Sequence, residues 1–354
     1  MLNTQPMGRI EGEAGMAGDR AVSLRRYAQQ ARAQEALSTS DFGFFADLVD
    51  RGTMVGYMDA AVPTTFDKIG YRRDMKELSN PKRPSPKEYR INAARIIPQV
   101  AELAEYLRSD TSEESFGFTT YKYGTSWGLS WEAWMNDQRD LGLMQDYPQS
   151  WGLSARYTQE YEFTQLYAAN ATFFTAARGN YAEGAGTALS ADALAAGLIA
   201  LRGLPDPAGN VSPYIGDITL VVPAALEFTA KNIVNSPQVT GGSTKVLINN
   251  PMYNAVQSVV VNPFLDVIDT VSGATAWYLF CNPRLRPALR YGYLSGYESP
   301  EIFVKEGDAR RLGGGTSDPF EGSMDNDSIE FKCRFTFGAN LVDYRGGLMR
   351  KGAA

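Results

Sequence analysis

Near the end of the chain, Ile329, Phe331, Cys333, Phe335 and Phe337 alternate without interruption with Glu330, Lys332, Arg334 and Thr336. A repeat of two is that of a β-strand, whose successive side chains point to opposite faces. One face of this segment therefore needs a core, and the other meets solvent or a partner. A slip of one residue would turn the whole apolar set outward, so its register must be firmly held. Any fold for this chain has to place a covered sheet around residues 329–337.

Composition removes several classes of function. The 354 residues contain no histidine, which takes away the commonest general acid/base and the most frequent transition-metal ligand. The two cysteines, Cys281 and Cys333, lie in apolar, strand-like runs and read as small buried hydrophobes in a reducing compartment, in preference to a disulfide. Zinc lacks a ligand set, and neither a cofactor nor a metal is expected. A net charge of −6 is the wrong sign for a protein that grips nucleic acid by its phosphates. The longest apolar runs, such as 218–226, are short and interrupted by Thr219 and Pro223, far from the roughly 20 residues of a membrane span. Arg9, Glu11, Glu13 and Asp19 leave no apolar stretch for a secretory signal.

At this length about two domain-sized units are expected. Residues 1–52 read as an extension, with a helix over 21–37 and an aromatic anchor of Phe42, Phe44, Phe45 and Leu48. Residues 66–115 carry a basic surplus that includes Arg72, Arg73, Lys76, Lys82, Arg83 and Lys87, broken by Pro81, Pro84 and Pro86. Prolines at that density stop regular elements, and the low apolar content suggests an arm leaving the body. Short segments follow: a strand or an amphipathic segment at 89–91 and 96–97, a helix over 101–108, one strand over 116–124, and a helix over 131–139 capped by Ser130. Pro148 is read as the first residue of a longer helix reaching about residue 170, with Leu153, Tyr157, Tyr161, Phe163, Leu166 and Tyr167 on its apolar face. Residues 186–284 are the most domain-like block. There Ser190 caps a helix carrying Leu194, Leu198 and Leu201, and Gly203 stops it. A strand over 217–222, a helix opened by Pro223, and strands over 256–261 and 275–281 complete an α+β pattern.

The phrases Ala276-Trp277-Tyr278-Leu279-Phe280-Cys281-Asn282-Pro283-Arg284-Leu285, Tyr293-Leu294-Ser295-Gly296-Tyr297-Glu298-Ser299-Pro300-Glu301-Ile302, the alternating strand, and Val342-Asp343-Tyr344-Arg345-Gly346-Gly347 occur in that order. This succession resembles the C-terminal part of tailed-bacteriophage major capsid proteins of the HK97-type fold, the Mu-like major head subunits in particular. The resemblance implies an α+β fold with an N-terminal arm (1–52), an E-loop hairpin (within 66–115) and an A-domain (186–284). It also implies a discontinuous P-domain (53–65, 116–185 and 285–354) whose spine helix covers about 148–170. The function implied is architectural: hexamers and pentamers of one chain tile an icosahedral head around double-stranded DNA, with no sequence-specific binding to it and no membrane. Scaffolding, portal and decoration proteins are the further partners implied. The location implied is the virion, with assembly in the bacterial cytoplasm. Only about fifty residues precede the body, so a separate scaffold, or none, is expected rather than a removable fused one.

On this reading the basic residues Arg72, Arg73, Lys76, Lys82, Arg83 and Lys87 meet acidic surface on a neighbouring subunit, with Glu160 and Glu162 as the acidic partners. Some relatives cross-link an E-loop lysine to an asparagine, and Asn340 lies in the corresponding region; solvated ion pairing is the preferred account of the lysines. Asp325-Asn326-Asp327-Ser328 lacks the glycine and distal glutamate of a calcium loop and reads as a turn. Gly313-Gly314-Gly315-Thr316 has no following lysine and reads as a flexible connection. Two alternatives remain: an encapsulin-like compartment shell, and a hydrolase working through paired carboxylates. The second is disfavoured because Glu160 and Glu162, two apart on a helix, do not converge.

Overall fold

The computed structural model describes residues 42–59, 64–78, 87–92, 99–100, 102, 105–106, 112–130, 132, 142–205, 216–241, 246–305 and 328–352. The helices expected over 21–37 and 131–139, most of that over 101–108, residues 96–97, Lys82, Arg83, the three prolines, the Gly313 run and the Asp325 turn lie outside the described residues. In chain order the elements are α1 (Phe42–Tyr57), α2 (Thr65–Ile69), β1 (Gly70–Arg72), β2 (Lys87–Asn92), β3 (Ser112–Gly117), β4 (Tyr121–Ser130) and α3 (Gly142–Tyr167). Then come β5 (Tyr181–Ala182), α4 (Ala191–Arg202), β6 (Ile218–Val222), α5 (Glu227–Asn235), β7 (Gln238–Gly241), β8 (Val246–Asn249) and β9 (Ser258–Val261). The chain closes with α6 (Phe264–Ile268), β10 (Trp277–Cys281), β11 (Leu289–Gly292), β12 (Glu301–Lys305), β13 (Ser328–Leu341) and β14 (Gly347–Arg350). Helices and strands are mixed throughout, an α+β fold. The chain divides into two compact units, the first made of 1–60, 124–156 and 299–335, the second of 61–123, 157–298 and 336–354.

In the first unit the opening half of β13 pairs antiparallel with β12, Ile302 opposite Cys333 and Val304 opposite Phe331, and β4 also pairs with β13. The alternation read from the sequence holds over 329–333, with Ile329, Phe331 and Cys333 buried and Glu330 and Lys332 exposed. It does not hold beyond: Arg334 is half-buried, and Thr336, expected outside, is buried and donates to Tyr297 O at 2.9 Å. Val49, Leu129 and Trp151 close over Ile329, Phe331 and Cys333, and the Trp127 ring stacks on Phe331 with centroids 5.8 Å apart. The helix expected to begin at Pro148 begins at Gly142, so Pro148 sits inside it. Its ring is buried, and packing rather than capping holds it there, at the cost of one backbone hydrogen bond.

The second unit is built on the sheet β5-β14-β10-β6-β9. Every residue of β6 and β10 is buried, as befits strands covered on both faces, which read as continuous apolar runs. Trp277, Leu279 and Cys281 on one face join Leu194, Leu198 and Leu201 of α4 and Ala230 and Val234 of α5 in one core. On the other face the Tyr278 and Phe280 rings meet Tyr167 of α3 at 5.2 and 5.4 Å. The Ser190 side chain accepts from Ala193 N–H and Gly203 follows the last turn of α4, as expected. Pro223 opens a short 3-10 turn, Ala224–Leu226, and the α-helix starts only at Glu227. A second aromatic core gathers Phe66, Phe163, Tyr291 and Phe337; Phe66 lies 5.0 Å from Tyr291 and 5.8 Å from Phe337, ring to ring.

One expected strand is two. The run 116–124 breaks at Phe118–Thr120 because β3 pairs with β2 whereas β4 pairs with β13. Buried Phe118 and Thr120 mark where the chain changes partner.

Candidate functional site

The basic stretch does not stay together. Arg72 is on β1, in parallel register with β11 opposite Tyr291. Its guanidinium donates to Asp74 at 3.2 and 2.9 Å and to Glu298 at 2.8 Å, and lies 5.1 Å above the Tyr293 ring. The hydrogen bond to Asp74, with that to Glu298, raises its already high pKa against the opposing effect of burial. Arg72 is thus tied within its own unit, and the strand that carries it belongs to a sheet rather than to a projecting hairpin. Arg73 and Lys76 follow β1 and are exposed, while Arg73 N–H donates to Tyr291 O at 2.8 Å. Lys87 is exposed at the start of β2, opposite Gly117 of β3. Lys82 and Arg83 are outside the described residues.

The two expected acidic partners also separate. Glu160 is fully buried. One carboxylate oxygen accepts from Thr65 N–H at 2.9 Å, the other accepts from the Thr65 hydroxyl, and Asn262 Nδ2 approaches at 3.4 Å. The expectation that Glu160 meets a neighbouring subunit is corrected: a helix face counted from charge alone put it outside, whereas the fold spends its oxygens on the first turn of α2. Glu162, two residues on, is half-buried beside Tyr123, whose hydroxyl pKa is pushed up to about 12 by burial first and by Glu162 second.

Sequence reasoning missed the buried cluster around Glu160. Asn262 Nδ2 also reaches Thr164 Oγ1 at 2.7 Å and Tyr167 Oη at 2.9 Å, and its Oδ1 accepts from Phe264 N–H at 2.9 Å. Burial, then the charge of Glu160, raises the Tyr167 pKa against the hydrogen bonds of Asn262 and Thr164. The signal was present: Glu160, Thr164 and Tyr167 recur at helical spacing, which puts their polar atoms on one face of α3. The cluster is saturated with its own hydrogen bonds, which suits it to holding α2, α3 and Asn262 in register.

Cys281 and Cys333 are free and buried, with thiol pKa values pushed up by burial to about 12 and about 11. Asn340, the residue considered for cross-linking, donates from its side chain to Gly117 O in its own unit. Among the described residues no three His, Cys, Asp or Glu side chains come together as a metal site.

Residues 113–349, more than half of the chain, match the model of a family described as phage capsid protein, and the chain belongs to that family. None of the curated proteins compared matches it. Solved structures similar to it include a chain from Mycobacterium phage Bobi, 11% identical with a TM-score of 0.49, covering 91% of this chain and 96% of that one. The capsid of cyanophage P-SCSP1u gives 10% identity, a TM-score of 0.49 and coverage of 84% and 90%. The mature capsid of bacteriophage PhiM1 gives 11%, 0.47, 81% and 86%. At that level of likeness the assignment rests on the family model. As a member, the protein is a structural subunit that assembles with further copies into the shell of a phage head. The match does not single out the Mu-like head subunits suggested by the C-terminal phrases.

Proposed function

We propose that the chain is the major subunit of an icosahedral head of the HK97 type, tiling as hexamers and pentamers around double-stranded DNA. The family match over 113–349 carries this reading. In it, 1–52 is the arm, the hairpin within 66–115 is the E-loop, 186–284 is the A-domain, and 53–65, 116–185 and 285–354 make the P-domain. The ribbon β2–β3 supports the hairpin assignment: it pairs with no other described strand, and a two-stranded ribbon alone is marginal in water. A neighbouring copy is the natural cover for it.

The intersubunit contacts proposed are Arg73, Lys76, Lys82, Arg83 and Lys87, facing acidic surface that includes Glu162. Arg72 is bound to carboxylates of its own chain and contributes less. The subunit works without catalysis, cofactor or sequence-specific contact to DNA. It assembles in the bacterial cytoplasm, where scaffolding, portal and decoration proteins are the further partners this reading admits. Repetition around a closed shell turns modest pair energies into a stable container.

Negative-stain microscopy of the purified chain tests the reading directly. Closed isometric particles, or their rings, are expected. A monomer under every condition tried, absent also from purified virions, would end it.

A further inference from the structure

The segment that leaves β1 and the segment that returns from the β2–β3 ribbon lie against one spot of the sheet formed by β1, β11 and the second half of β13. All of these residues belong to the second unit. There Gly292 stands directly opposite Gly338, on the face turned away from Tyr291 and Phe337, because successive side chains of a strand alternate. A Cβ on Gly292 would lie 1.9 Å from Arg73 O, and one on Gly338 would lie 2.2 Å from Thr119 O and 2.8 Å from Thr120 Cα. Two facing glycines thus make the room that both segments occupy. The outgoing segment is tied by Arg73 N–H to Tyr291 O and by Met75 N–H to Tyr293 O, each at 2.8 Å. The returning segment is tied by Asn340, two residues beyond Gly338 on the same face, whose side chain donates to Gly117 O. Gly117 ends β3 opposite Lys87, the first residue of β2, and Phe118 and Thr120 after it are buried. The ribbon is fastened at its root.

We infer that Gly292, Gly338 and Asn340 are positioning residues: a socket of two glycines and a latch that fix the direction in which the β2–β3 ribbon leaves the sheet. At about 3.3 Å per residue, its six-residue strands reach roughly 20 Å from the root. A tilt of about 10° there carries the far end about 3 Å, whereas a gap of about 1 Å already forfeits much of a packing contact. The socket is a property of the single subunit; its use in assembly rests on the shell reading above, in which the ribbon meets a neighbouring copy.

Hydrogen exchange of the full-length unassembled subunit, read by mass spectrometry, tests the socket, and particle yield tests its use. Asn340→Ala should keep melting within about 4 °C of wild type, the loss of one hydrogen bond. Its amides over 112–120 should exchange at least fivefold faster, while those over 277–281 in the core keep their wild-type rate. Gly338→Ala should loosen 112–120 further. Gly152→Ala, which crowds Thr53 O in the first unit, is the control: it should leave 112–120 at the wild-type rate even as it lowers melting. Wild-type exchange over 112–120 in Asn340→Ala would overturn the latch, and in Gly338→Ala the socket, with the shell reading untouched in either case. If Gly338→Ala does not fold, Asn340→Ala decides alone. Faster exchange with at least tenfold fewer particles is the expected pair of results. Faster exchange with wild-type yield would keep the socket and overturn the ribbon as a contact between copies. Wild-type protein that never assembles would overturn the shell reading, while the exchange rates still judge the socket.

Discussion

At the scale of single residues, the chain invests its buried polar groups in anchoring rather than in reactivity. Asn262, fully buried, ties Glu160, Thr164 and Tyr167 together. Asn262→Ala should cost about 2–3 kcal/mol, because it strands several buried partners at once and each costs about 1–3 kcal/mol unsatisfied; urea denaturation of the subunit measures this. A loss below about 0.5 kcal/mol would show that water replaces the amide. The buried hydroxyls and thiols set the alkaline limit. Cys281 and Cys333 stand at about 12 and about 11, Tyr123 at about 12, and burial raises Tyr278 further. A group whose pKa is higher folded than unfolded gives stability that is complete below its unfolded value, near 8.5 for cysteine and 10 for tyrosine. That stability is lost as pH climbs towards the folded value. The melting temperature should therefore hold up to roughly pH 8.5 and fall steadily to pH 12. A thiol reagent at pH 8 should label neither cysteine until the subunit unfolds.

At the scale of elements, the contact between α1 and α3 in the first unit is decided by two glycines. A Cβ at Gly56 would lie 2.0 Å from Gln149 O, and one at Gly152 would lie 2.1 Å from Thr53 O. Helix propensity alone favours Gly152→Ala by about 1 kcal/mol. The structure reverses the sign: the substitution should push the helices apart and destabilise by about 1–3 kcal/mol. A rise in melting temperature for Gly152→Ala would refute this backbone-to-backbone approach. In β13, Phe331→Ala removes a ring buried among Trp127, Trp151 and Val304, at an expected cost of about 3–5 kcal/mol. Lys332→Ala, on the exposed side of the same strand, should change stability by less than about 0.5 kcal/mol.

At the scale of the whole molecule, function lies in surfaces that the subunit leaves open. The β2–β3 ribbon pairs with no other described strand, and Ile199 and Phe228 are largely exposed. Lys76→Glu with Lys87→Glu should leave subunit melting within about 1 °C of wild type, as surface charge changes generally do. The same pair should lower particle yield and make assembly more sensitive to salt, because exposed charge pairs are screened. Light scattering during assembly at two ionic strengths reads both.

The local patterns were legible in the sequence. The period of two in β13, the Ser190 cap, the Leu194-Leu198-Leu201 face and the buried runs of β6 and β10 each depend on neighbours within a few residues. Only the tertiary structure decided where long-range partners compete: that Glu160 turns inward to Thr65 and Asn262, that Arg72 closes on Asp74 and Glu298, that α3 runs through Pro148, and that one expected strand divides between two sheets. The first two of those outcomes hang on segments that meet across 95 and 226 residues of chain. Local propensity carries no term for such encounters, and a hydrogen bond or ring contact made there outweighs it.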